Sequence, residues 1–188
     1  NTTASNNTAV GYGTLRFNTT GTQNTAVGNT ALYSNTTGSY NEAFGQDSLK
    51  ANTTGAANVA VGKSALDANT TGYWNIALGW DALGANTTGA GNIAIGKEAL
   101  SVQTSGTNDI IAIGTYALQN NTSGGSNAGI GFAALRANTS GAGSVAMGTN
   151  ALLANTTASY NTAVGWSSLE ANTTGYDNVA LGAGALRA

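Results

Sequence analysis

The residues with the most evident chemistry are a column of Asn-Thr-Thr and Asn-Thr-Ser triplets, each an acceptor sequence for N-linked glycan. They stand at Asn18, Asn35, Asn52, Asn69, Asn86, Asn121, Asn138, Asn155 and Asn172, with Asn1 as a leading half-copy. Such a column, in a chain of which only 7% is charged, suggests a rod hydrated by a carbohydrate coat. The competing reading is a ladder of side-chain amides hydrogen-bonded along a stack. The middle threonine favours the ladder, because glycosylation leaves that position free, yet Thr19, Thr36, Thr53, Thr104 and Thr173 all hold it. Gln103 also keeps Thr104 and Ser105 behind it after the acceptor itself is lost. Both readings stay open at this level.

Other chemistry is thin. The chain has no histidine and no cysteine, so the commonest general base, thiolate nucleophiles and most metal-ligand sets are missing, and no enzyme is expected. No cofactor or metal is expected either. Asp47, Asp67, Asp81, Asp109, Asp177, Glu42, Glu98 and Glu170 read as scattered solvation without a shared column, which argues against a calcium β-roll. Gly124-Gly125 lacks the Lys-Ser/Thr of a phosphate loop. Ice binding is a further alternative suggested by the threonines. It needs hydroxyls from alternate residues, however, and neighbouring threonines on a strand point to opposite faces. Trp74, Trp80, Trp166, Tyr40, Tyr73, Tyr160 and Tyr176 could stack on sugars or pack between neighbouring rods or coils. A net charge of −2 with no basic cluster argues against nucleic acid. No apolar run is long enough to span a bilayer, and without a signal peptide or starting methionine the sequence reads as a processed product or a piece of something longer.

These residues are positioned by a repeat. The phrase from Asn58 to Trp74, NVAVGKSALDANTTGYW, returns every 17 residues, which marks a solenoid of about eleven coils. Glycine recurs from Gly11 to Gly182, leucine from Leu15 to Leu186, and alanine two places before each glycine except at Gly129. Each coil opens on a β-like phrase such as Asn92-Ile93-Ala94-Ile95-Gly96. Its fourth position, large and apolar from Val10 to Leu181, is expected inside. The second, which mixes Val59 and Ile76 with Thr25 and Glu42, is expected at the core margin or at a contact with another chain. The glycine after it and the glycine of NTTG supply corners. KSALDA alone could be a helical turn, but a strand-plus-helix coil uses about 20 residues or more, so 17 suits two or three short strands. Trp80, Lys97, Tyr116, Phe132 and Trp166 then lie on a solvent-facing or partner-facing surface. The copy from Asn92 to Asp109 carries one extra residue, with Ile110 in the usual Asn position, and predicts a local bulge.

The fold expected is therefore all-β: residues 1–188 as one parallel β-solenoid domain, uncapped. Layers spaced by roughly 4.8 Å would make a rod on the order of 50 Å long. Each coil buries only a Val or Ile, a Leu and some Ala, so backbone bonds, side-chain ladders and association must add to the core. Joining ALRA at the end to NTTASNNTAVG at the start continues the phrase, and no polar cap is evident. The expectation is head-to-tail contact through Asn1, Thr2, Thr3, Leu186, Arg187 and Ala188, although a piece cut from a longer repeat protein has the same ends.

NTAVG at Asn7 to Gly11, Asn24 to Gly28 and Asn161 to Gly165, with NIAIG at Asn92 to Gly96, resembles the head repeats of YadA-like trimeric autotransporter adhesins. The chain looks still more like NTAVG…AL…NTTG repeats of bacterial surface proteins and phage tail fibres. That resemblance implies a left-handed parallel β-roll outside the cell, often trimeric, used for attachment or as a stalk. Adhesin head repeats are shorter and lack the NTTG arm. The function expected is a non-catalytic structural protomer of an extracellular or cell-surface fibre, partnered by copies of itself and by glycan on the Asn column. The alternative is a binding module: a trimeric adhesin or tail-fibre shaft.

Overall fold

The computed structural model describes residues 3–104, 106 and 108–187. It is a stack of coils, each carrying one three-residue strand: β1 (Thr8–Val10), β2 (Thr25–Val27), β3 (Glu42–Phe44), β4 (Val59–Val61), β5 (Ile76–Leu78), β6 (Ile93–Ile95), β7 (Ile111–Ile113), β8 (Ala128–Ile130), β9 (Val145–Met147), β10 (Thr162–Val164) and β11 (Val179–Leu181). The eleven form a single parallel sheet in chain order. Like pairs with like, as in Ala26 with Ala43 and Ala60 with Ala77. The parallel β-solenoid expected from the period is present, and the described residues contain no helix.

Two or three strands per coil were expected and one is found. Turns make up the rest, yet their backbone groups still pair between layers. Leu32 N–H donates to Ser48 O at 3.0 Å, and Leu66 N–H to Ala82 O at 3.0 Å. The KSALDA segment is not helical because Ser64 and Leu66 are left-handed, with φ of 57° and 53°. An L-residue there costs roughly 1–2 kcal/mol, and the interlayer bond that each such turn makes opposes that cost.

The strand faces run opposite to expectation. The core is the alanine column (Ala26, Ala43, Ala60, Ala77 and Ala94, all fully buried), joined by Ala65, Leu66 and their equivalents. The fourth strand position, expected inside, faces out: Val10, Val61 and Met147 are exposed, and Val27, Leu78 and Ile95 are half-buried. A strand alternates faces residue by residue, so burying the third position necessarily turns the second and fourth outward together. A 17-residue coil encloses room for small side chains and one leucine, and the column that never exceeds alanine in size is the one that fits.

The strand-end glycines are required twice over. Gly28 has φ of +136°, and a Cβ on it would lie 2.5 Å from the Gly45 carbonyl oxygen of the next layer. In NTTG the reason is close approach alone, since a Cβ on Gly38 would strike Gly55 O and Asn35 Oδ1. The longer copy does not bulge the sheet: Ile93 pairs with Ile111 in register, and the extra residue is taken up before Ile110. Ile110 fills the Asn position fully buried.

Candidate functional site: asparagine ladders and an aromatic corner

The Asn-Thr-Thr column lies inside the coil. Asn35, Asn52, Asn69, Asn86, Asn121, Asn138 and Asn155 are completely buried, Asn18 nearly so, and Asn172 half-buried. Most of these amides are spent twice, whereas Asn18 and Asn121 donate to the glycine carbonyl of their own turn. Asn52 Nδ2 donates to Asn35 Oδ1 at 2.8 Å and to Gly55 O at 3.0 Å, and Asn69 Nδ2 repeats this with Asn52 Oδ1 at 2.8 Å and Gly72 O at 3.1 Å. Beyond Gln103, which replaces Asn in the column, a second run goes from Asn138 on Asn121 at 2.7 Å to Asn172 on Asn155 at 3.2 Å. A glycan on Nδ2 would replace one of these donors and place a sugar in a space filled by backbone, so the expectation of glycosylation at these asparagines is corrected to a structural ladder. The following threonine shares that role: Thr36 Oγ1 donates to Thr53 O at 3.0 Å. The third residue, as at Thr37, is exposed, whereas the middle threonine is half-buried in most layers and exposed at Thr19, Thr104 and Thr173.

A second ladder was not foreseen. Asn24, Asn41, Asn58, Asn75 and Asn92 open the strand phrase and are also fully buried. Asn41 Oδ1 accepts the Asn58 backbone N–H at 3.1 Å and Asn58 Nδ2 at 3.1 Å, while Asn58 Nδ2 also reaches Gly72 O at 2.9 Å. Thus Gly72 O joins both ladders. The signal was available, because that position is Asn wherever it is not Ser144 or Ile110.

The NTTG backbone forms a nest of donors. Thr36, Thr37 and Gly38 N–H converge on Thr53 O at 2.9, 3.2 and 3.3 Å, and Thr53, Thr54 and Gly55 do the same to Thr70 O. These layers thus offer donors toward higher residue numbers. Of the residues expected at a head-to-tail contact, Asn1, Thr2 and Ala188 lie outside the described residues. Thr3 N–H donates to Thr19 O at 3.4 Å, Leu186 is 60% exposed, and Arg187 pairs with Glu170 at 2.7 Å. On the Leu186 side the stack presents a concavity of about 330 Å³ lined by Leu169, Asn172, Thr174, Gly175, Asn178 and Leu186.

Cations and rings pair on the corner after the strand. Lys97 Nζ lies 4.8 Å from the Trp80 ring centre and 5.5 Å from that of Tyr116, with Arg136 over Tyr116 at 4.9 Å and Arg187 over Trp166 at 4.9 Å. Asp47, Asp81 and Glu98 share a column beside them, a grouping that the sequence reading had treated as scatter. Burial and then Glu98 raise Asp81, burial and then Asp81 raise Asp67, and the Thr30 hydroxyl, donating at 2.6 Å, lowers Asp47. No group of three metal-ligating side chains forms among the described residues.

The opposite corner bears Tyr40, Ala57, Trp74, Gly91 and Asp109 in successive layers, all left-handed with φ between 55° and 69°. Tyr40 and Trp74 are 59% and 69% exposed, and Tyr73 meets Trp74 edge-on at 4.9 Å. A cleft of about 180 Å³ lies between Trp74 and Asp109 over Ala90 and Gly91. No family model, curated protein or solved structure matches the chain.

Proposed function

We propose that this chain is a non-catalytic structural protomer of an extracellular fibre, built by adding coil to coil along one axis and joining copies head to tail. The supporting observation is that one pattern of bonding recurs between layers along the stack: two asparagine ladders, interrupted by Gln103, Ile110 and Ser144, up to three N–H donors on one carbonyl, and a parallel strand pair in register. A further coil, from any source, would pack into the concavity lined by Leu169, Asn172, Thr174, Gly175, Asn178 and Leu186. The reading carries no glycan on the Asn-Thr-Thr column. Electron microscopy of the protein at high concentration tests it: filaments one rod wide and many times longer than roughly 50 Å are expected. A stable, dispersed single rod at every concentration overturns it.

A specific observation favours the second reading, a shaft of three rods in an adhesin or tail fibre. The outward strand positions form a nearly uncharged apolar face, with Val59, Val61, Ile76, Leu78, Ile93 and Ile95 in adjacent layers. Contiguous exposed apolar surface of this kind marks a contact. A cross-section with three parallel rods around an axis selects this reading, and one with a single rod selects the first.

A further inference from the structure

The corner with Tyr40 and Trp74 differs chemically from the one across the coil. There, the rings of Trp80, Tyr116 and Trp166 have a Lys or Arg over them. At Tyr40 and Trp74 no cation of the described residues covers a ring, and both side chains stand largely in solvent. Between them lies Ala57, and beyond Trp74 lies Gly91, so the bulky positions fall on alternate layers, about 10 Å apart at the strand spacing. Two layers beyond Trp74 comes Asp109, exposed, its carboxylate in no hydrogen bond or ion pair with the described residues and with an oxygen about 3.0 Å from where a Gly91 Cβ would sit. The floor is fixed: Gly91 N–H donates to Tyr73 O at 3.1 Å, and Ala90 N–H donates to Asn108 Oδ1 at 2.8 Å.

We propose that this corner binds an extended, uncharged, β-1,4-linked glycan lying along the rod, with sugar faces on Tyr40 and Trp74 and hydroxyls donating to Asp109. Flat aromatic surface matches the C–H face of a pyranose ring, and a carboxylate accepts from vicinal hydroxyls. A β-1,4 chain with two-fold screw symmetry shows the same ring face at every second residue, close to the two-layer spacing of the aromatics. The cleft over Gly91 is the size for one sugar ring rather than a large ligand. The cleft is lined by no Lys or Arg and contains one carboxylate, so the charge disfavours anionic polysaccharide. This inference stands apart from the fibre reading, since either can fail alone.

Calorimetric titration of the intact chain with cellohexaose tests it, with maltohexaose and polygalacturonate as comparisons. Cellohexaose is expected to bind, and the other two to bind at least about tenfold more weakly. Trp74→Ala is expected to weaken cellohexaose about tenfold, with Tyr160→Ala, at the same corner five coils on, unchanged. Gly91→Trp fills the cleft while leaving Trp74 in place and is expected to abolish binding, and circular dichroism reports whether each variant keeps the fold. Absence of cellohexaose binding overturns the proposal, as does equal binding of maltohexaose, equal loss in Trp74→Ala and Tyr160→Ala, or unchanged or tighter binding in Gly91→Trp.

Discussion

Asn69 shows how much one side chain carries. Its Nδ2 donates to Asn52 Oδ1 and Gly72 O, and its Oδ1 accepts from Asn86 Nδ2 at 3.0 Å, all in the interior. Asn69→Ala is expected to cost about 1–3 kcal/mol for each buried group left without a partner, read as a lower denaturant midpoint. Thr71→Ala, two residues away and exposed, is expected to change stability by under about 0.5 kcal/mol. The same contrast tests the facing of the strand. Ala60 is completely buried and Val61 is 39% exposed. Ala60→Val should therefore destabilise by about 1–3 kcal/mol through overpacking, whereas Val61→Thr should leave the monomer's thermal midpoint nearly unchanged. The reverse order would restore the inward placement of the fourth position.

At the scale of the coil, the acids beside the strand corner couple layers through their titration. Asp67 and Asp81 are raised in the folded chain, chiefly by burial, with Asp81 and Glu98 respectively adding like charge. A raised carboxylate binds its proton more tightly folded than unfolded. Its penalty therefore appears as pH rises past the unfolded value of 3.8 and is complete above the folded one. Asp47 works the other way: its hydrogen bond from Thr30 stabilises above the unfolded value and is lost as pH falls through its lowered one. Asp67→Asn is expected to raise the thermal midpoint at pH 7 and to flatten the part of the pH profile where stability falls as pH rises from 3.8 through the raised value in the folded chain. Scanning calorimetry across that range checks it, and an unchanged profile would show that the half-buried carboxylate is fully relieved by solvent. The extra residue before Ile110 also belongs to this scale, since strand register survives the difference in length.

Across the whole rod, the outward Val, Ile and Leu positions form the surface that decides whether rods stand singly or side by side. Replacing Ile93 and Ile95 together with threonine removes apolar surface from the middle of that face without touching Ala94 or the ladders. If rods pack through this face, the double variant should sediment as thinner particles than the parent, with its unfolding midpoint per chain little changed. Identical sedimentation for variant and parent would place any lateral contact elsewhere.

The period, the eleven layers and the parallel in-register stack follow from the sequence alone, because a phrase that returns every 17 residues can complete its backbone bonding only against its own copy. The opening Asn column and the alanine column were equally visible, but their place in the coil was not. Whether a three-residue strand turns its alanine or its valine inward depends on how much volume a closed coil leaves, and closure is set by left-handed turns at Leu66 and Trp74 that local propensity disfavours. The same closure decided that the Asn-Thr-Thr amides lie inside as a ladder, where sequence read them equally as glycan acceptors. It also brought Tyr40, Trp74, Gly91 and Asp109, spread over four different layers, onto one corner. Composition and spacing settle which layers meet; only the closed coil settles which side of each layer faces water.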